Sequence, residues 1–156
     1  MTVTLPRSAT GVMDGPVHLY PLRVYYEETD AGRMVYHANY LKFAERARTE
    51  MMRLNGLNHV EMIETYGLVF AVHSADVKYI SQSKLEDELI VRTQLDRLGG
   101  ASMVMHQQIN RMDESGVGDA VADLKIKLVV VNEEGKPQRL SSDLKATLER
   151  LRKQKG

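Results

Sequence analysis

The chain has 156 residues, 21 basic and 21 acidic side chains, no cysteine and a formal net charge of zero. Its length suits one domain that buries about 70% of the surface its unfolded chain exposes. The charge balance argues against a nucleic-acid binder that relies on bulk positive charge, and the missing cysteine excludes disulfides, thiolate nucleophiles and Cys-ligated metals.

Residues 1–16 are rich in Thr, Ser, Gly and Pro and lack periodicity, which predicts a loose tail ahead of a single domain over 17–156. This N-terminal segment lacks the apolar core of a signal peptide. The longest aliphatic run, Leu128-Val129-Val130-Val131, falls far short of the ~20 apolar residues of a membrane span. A cytoplasmic address is therefore expected. A first strand is expected over 18–27. The strongest helix signal covers 37–54, where Tyr40, Phe43, Ala44, Ala47, Met51 and Leu54 recur at helical spacing and Asn55-Gly56 provides a stop. A short helical piece is expected over 58–65. After Gly67 the period changes to two, predicting strands at 68–79, 89–97, 102–111 and 120–131. Ser141-Ser142-Asp143 can cap a final helix that runs to about Arg152. One strand, one long helix, four strands on short turns and a terminal helix make an α+β domain. Its simplest arrangement is a curved antiparallel meander wrapped around the long helix.

Several chemistries lack their motifs. There is no Walker-type phosphate loop, and Gly116-Val117-Gly118 does not continue into a dinucleotide fingerprint. The five histidines at 18, 37, 59, 73 and 106 show no metal-ligand spacing, so neither a metal nor a cofactor is expected. No G-x-S-x-G elbow is present. What remains is the stretch YYEETDAGRMVYHANYLKFAERARTE over 25–50. It sets an acid, a glycine-containing turn, a histidine and a helix start within about a dozen residues. A helix start offers unpaired N–H groups and the positive end of a dipole, which suits a developing oxyanion. Asp30, on the loop before it, can fold back toward that point. There it could act as general base on water or attack a carbonyl itself, the minimum equipment for hydrolysing an ester or thioester. His37 could hold water or act through its backbone N–H. On spacing alone, a turn or capping role for Asp30 is the commoner outcome.

The same stretch closely resembles the signature of the hotdog-fold 4-hydroxybenzoyl-CoA thioesterase family, and within it the YbgC-type acyl-CoA thioesterases associated with the Tol-Pal system of Gram-negative bacteria. The resemblance continues more weakly through Val77-Lys78-Tyr79, Leu85 to Leu89, Arg97 to Ser102, and Val129 to Pro137. It implies a hotdog fold and metal-free hydrolysis of an acyl-CoA thioester. The carboxylate falls on Asp30, and the N–H that polarises the carbonyl falls on His37. Tyr36 is expected to line the pocket. Arg33 and Met34 stand where the family commonly has small or β-branched residues, and Gln82-Ser83 replaces its usual Pro-Ala.

The resemblance also implies a homodimer, or a tetramer of two dimers, with an open sheet edge as the natural seam. Coenzyme A requires cations for its phosphates, and Arg97, Lys84, Lys136 and Arg139 lie on predicted loops that could meet them. Arg150, Arg152, Lys153 and Lys155 suit a helix C-terminus, with anionic lipid or acyl carrier protein as the sharper reading and peripheral membrane contact as the limit. Two other functions remain open. One is a scaffold that binds acyl thioesters or acyl carrier protein without turnover, linked to phospholipid synthesis or the cell envelope. The other is a hydratase on the same fold, whose histidine motif differs.

Overall fold

The computed structural model describes residues 2–153. Six strands form one antiparallel sheet: β1 (Val12–Asp14), β2 (Val17–Arg23), β3 (Leu68–Tyr79), β4 (Glu88–Leu98), β5 (Ser102–Asp113) and β6 (Gly116–Asn132). The long helix α1 (Asn39–Leu54) lies between β2 and β3 in the chain, a short helix α2 (His59–Glu61) continues as a π-helical turn over Met62–Tyr66, and α3 (Ser142–Arg152) closes the domain. This is the expected α+β hotdog arrangement, a curved sheet around one long helix.

Two details depart from the sequence reading. The expected loose tail over 1–16 contains β1, which pairs with β2 in register Val12↔Leu19 and Asp14↔Val17 and gives the sheet a sixth strand. Residues Gly15 and Pro16 make its turn, and Met13 packs against the core. The sheet is also not a plain meander. Its order is β1-β2-β4-β5-β6-β3. Successive hairpins join β4, β5 and β6, but β3 lies on the far edge beside β6, because the chain crosses the concave face as α1 between β2 and β3.

The period-two pattern explains which face meets the helix. Leu89, Val91 and Leu95 of β4, Met103, Met105 and Ile109 of β5, and Leu124, Ile126 and Val130 of β6 are buried. Between them stand Arg92, His106, Asp123 and Lys125, which make the outer face polar. Phe43, Ala44, Ala47 and Met51 of α1 are fully buried against this surface. One polar group sits inside the core with its bonding complete. The amide of Gln107 donates to the Ala44 carbonyl and to Thr93 Oγ1, both at 2.9 Å, and accepts from Arg48 at 2.9 Å. A buried amide without partners costs about 1–3 kcal/mol, so this set fixes α1 on β5 at one depth.

Candidate active site

After β2 the chain makes a 3-10 turn, Tyr26–Glu28, that places Glu28 under the start of α1. The side chain of Glu28 is buried. Its carboxylate accepts from the Tyr25 N–H at 2.6 Å and pairs with Arg46 at 3.3 Å. Its carbonyl accepts from the Tyr36 N–H at 3.0 Å and from Asn39 Nδ2 at 2.8 Å. One residue thus ties both ends of the 29–38 segment to the first two turns of α1.

Inside that segment the backbone folds into a small ladder. Thr29 pairs with Val35. The Asp30 N–H donates to the Met34 carbonyl at 2.8 Å, and the Arg33 N–H returns to the Asp30 carbonyl at 2.9 Å. Asp30 Oδ1 accepts from the Gly32 N–H at 2.9 Å and the Met34 N–H at 3.4 Å. The carboxylate is therefore oriented through one oxygen, while Oδ2 has no partner among the described residues. A Cβ on Gly32 would stand 3.3 Å from Oδ1, which explains a residue without one at that point. Arg33 holds a left-handed backbone, φ 63°, at a cost of about 1–2 kcal/mol for an L-residue.

A second loop, residues 80–87, supplies the other wall. The Val35 N–H donates to the Ser83 carbonyl at 2.9 Å, Met34 bridges Lys84, and the Leu85 N–H donates to the Arg33 carbonyl at 3.3 Å. Ser83 is fully buried, and its Oγ lies 2.7 Å from the Tyr40 hydroxyl. The serine that stands in place of the expected alanine thus gives Tyr40 a partner and links this loop to α1.

Between the two loops opens a cleft of about 610 Å³. Asp30, Gly32 and Met34 line one side, His37 and Tyr40 the helix start, and Tyr79, Ser81 and Gln82 the other side. The His37 ring packs edge-on against Tyr79, with centroids 5.9 Å apart, and against Tyr36 at 4.6 Å. The helix proper begins at Asn39, two residues later than expected, because 36–38 forms a tighter turn. The N–H groups of Asn39, Tyr40 and Leu41 donate three residues back, to the carbonyls of Tyr36, His37 and Ala38. The N–H groups of His37 and Ala38 have no partner among the described residues. Of the two residues, His37 lines the cleft and Ala38 adjoins it.

Of the expected site residues, the fold brings Asp30 and His37 into the cleft, and Lys84, which does not line it, bridges Met34 beside it. Tyr36 is adjacent but is not among the lining residues. Its neighbours Val35 and His37 line the cleft, and Tyr36 is half exposed outside it. Arg97 and Arg139 lie elsewhere. Arg97 is near the far end of β4, and Arg139 lies over the turn that follows, where a Cβ on Gly100 would stand 3.3 Å from its guanidinium. The length of β4, about 30 Å at 3.3 Å per residue, separates that turn from the Asp30 loop of the same chain. Lys136 is at that end too, 4.0 Å from Glu134. At the C-terminus, Arg152 and Lys153 pair with Glu149 and Arg150 meets Thr147, while Lys155 lies outside the described residues. Sequence reasoning missed Tyr79, Ser81, Gln82 and the Ala38 N–H. Tyr79 carried a signal as part of the short Val77-Lys78-Tyr79 match, and Gln82 as part of the Gln82-Ser83 departure from the family's Pro-Ala.

Comparison with known proteins decides the family, since the family model described as the thioesterase-like superfamily matches residues 24–148. The chain belongs to that superfamily. It is 39% identical over 122 residues to the acyl-CoA thioesterase YbgC of Haemophilus influenzae, covering 75% of this chain and 90% of that protein. It is 36% identical over 108 residues to the acyl-CoA thioester hydrolase YbgC of Escherichia coli O157:H7, covering 69% of this chain and 80% of that protein. The crystal structure of a probable thioesterase from Bartonella henselae is similar at a TM-score of 0.73 and 32% identity, over 80% of this chain and 99% of that one. These relatives agree with the resemblance read from residues 25–50.

Proposed function

We propose that this thioesterase-superfamily member hydrolyses acyl-CoA thioesters with Asp30 as its carboxylate and the N–H groups of His37 and Ala38 as its oxyanion donors. The observation that carries this reading is the convergence, in one cleft, of an oriented carboxylate with a free oxygen and His37 at a helix start, where the N–H groups of His37 and its neighbour Ala38 have no partner among the described residues. The thioester carbonyl oxygen points at the two N–H groups, and the positive end of the helix dipole favours the charge that develops there. Two routes use the same carboxylate. As a base, Asp30 takes a proton from water, the hydroxide adds to the carbonyl carbon, and collapse of the adduct breaks the C–S bond and releases the CoA thiolate. As a nucleophile, Asp30 adds to the carbon itself, expels the thiolate and leaves a mixed anhydride for water to open. The relatives named as acyl-CoA thioesterases support the substrate class.

The assembly that accompanies this reading is a homodimer along β3. That strand is twelve residues long and ends the sheet with an open edge. Val72, Tyr79 and Ile80 on and beside it are half exposed, and an apolar edge of this length pairs readily with a second copy. Sedimentation of the intact protein should give a dimer or a pair of dimers, and a monomer at micromolar concentration would remove this part of the proposal.

The function is tested by thiol release from short, long and aromatic acyl-CoAs and from acyl carrier protein thioesters. The chain has no cysteine and adds no background to a thiol-reactive dye. Turnover on acyl-CoA is the expected result. Binding without turnover on every thioester would contradict hydrolysis and favour a scaffold.

A further inference from the structure

We infer that Arg111 is a positioning residue for the reaction, holding the wall of the cleft opposite Asp30 in its working place. This rests on the reading of Asp30 as the catalytic carboxylate. Arg111 lies in β5 opposite Leu89 of β4, where the ladder between β5 and β6 is irregular. The backbone there is closely packed, since a Cβ on Gly118 would stand 3.2 Å from the Arg111 carbonyl. The side chain leaves this irregular stretch and reaches over the loop that follows β3.

Its guanidinium makes three hydrogen bonds and one looser ion pair. Nη2 donates to the Gln82 carbonyl, and Nη1 donates to Asp119 and, at 3.2 Å, to Ser81 Oγ. Nε lies 3.9 Å from the Asp87 carboxylate. Ser81 Oγ passes its own proton to the Ala120 carbonyl at 2.9 Å. Asp87 in turn accepts from the Lys84 N–H at 2.9 Å, closing the turn over 84–87. Arg111 therefore grips both ends of the loop, Ser81 and Gln82 at the start and Asp87 at the finish.

The loop is also held by backbone bonds from Ser81 to Val121 and from Glu86 to Val24, and by Arg23 at the Glu86 carbonyl, but Arg111 is the side chain that meets the Gln82 carbonyl. Ser81 and Gln82 line the cleft, and Ser83 and Leu85 carry the backbone bonds to Val35 and Arg33 that hold the Asp30 turn. Two residues in these paired loops, Arg33 and Glu86, have left-handed backbones, with φ 63° and 75°. Such a conformation persists where surrounding contacts determine it. Side-chain grips on the loop come from Tyr40 at Ser83, from Arg23 at the Glu86 carbonyl and from Arg111 at both ends. Release of Arg111 would leave Ser81 on its bonds to Val121 and Ala120 but free the Gln82 carbonyl, loosening the ladder that aims the carboxylate. A misplacement of about 1 Å can cost on the order of 100-fold in rate.

Two features separate this role from phosphate binding. The donors already face protein acceptors, and the two carboxylates, Asp87 and Asp119, outnumber the one guanidinium. Lysine could not replace it, because a single ammonium cannot span Asp119, Gln82 and Asp87 as a planar fork does.

The test compares Arg111→Met and Asp30→Asn with wild type in thiol release from the best acyl-CoA, with Arg92→Met as a control. Arg92 lies on the outer face and, among the described residues, donates to Gln108 at 3.4 Å, so its variant should keep wild-type kinetics. Folding is checked by circular dichroism at the assay temperature. Arg111→Met is expected to lose about tenfold or more in kcat with KM within about twofold. Should it fail to fold, Arg111→Lys, which keeps the charge without the fork, is read the same way. Unchanged kcat in a folded Arg111 variant overturns the inference, and so does a raised KM at unchanged kcat, which would make Arg111 a substrate-binding residue. Full activity in Asp30→Asn is a different failure, since it removes the Asp30 reading itself whatever Arg111 does.

Discussion

The two ends of the sheet are built differently. At one end, where β3 finishes and β4 starts, the 29–35 and 80–87 loops share backbone bonds and are gripped by Glu28, Tyr40 and Arg111. At the other, the turn at Gly99 and Gly100 carries Arg97, Lys136 and Arg139, whose side chains are exposed. The first end cross-links its loops, as the aim of a reacting centre requires. The second presents its cations on an exposed surface. Substitutions should therefore act on rate at the first end and, at most, on affinity at the second.

Below the carboxylate itself, a loss on the scale of the Arg111 variant is expected at Glu28. Glu28→Ala removes the acceptor of the Tyr25 N–H and the partner of Arg46. Arg46 is 44% exposed and can return to water, so the cost lies mainly in the lost backbone bond and the space left in a buried site. Urea unfolding should show a loss of about 1–3 kcal/mol. Thiol release should show kcat lower by about tenfold, because the turn before the 29–38 segment loses its side-chain ties to Tyr25 and Arg46, although the Glu28 carbonyl keeps its bonds to Tyr36 and Asn39. Wild-type kcat in this variant would show that these side-chain ties are not needed for aim. The smallest effect is expected at the opposite end. Arg97→Ala and Arg139→Ala should leave kcat within about twofold, given the ~30 Å of β4 that separates them from Asp30 of the same chain. A rise in KM alone would mean that these cations meet coenzyme A, as the sequence led one to expect, at a site completed by a second chain. A large loss of kcat would erase the contrast between the two ends.

Much of this was legible in the sequence, for physical reasons that also mark its limits. The α1 stripe from Tyr40 to Met51 and the alternation along β4, β5 and β6 are local periodicities, and they survive because one face of each element is buried. Asp30 and His37 could be paired because they are seven residues apart within one segment. What escaped depends on contacts between distant residues. Arg111 follows Asp30 by 81 positions, and nothing near it in sequence marks the loop it grips. The pairing of β1 with β2 was hidden because three residues carry too little period to register. The edge position of β3 follows from the crossing of α1 over the sheet, which a list of strands in chain order does not contain. The separation of Arg97 and Arg139 from the cleft is of the same kind, since both looked like plausible loop cations until β4 set their distance.

The central claim is that one carboxylate, held by the Gly32 and Met34 N–H groups, carries the reaction. The most direct measurement is thiol release from the preferred acyl-CoA by wild type and Asp30→Asn, with folding of both checked by thermal melting. The account predicts a variant that melts like wild type and loses at least ~100-fold in kcat. A folded Asp30→Asn enzyme with wild-type turnover would contradict it.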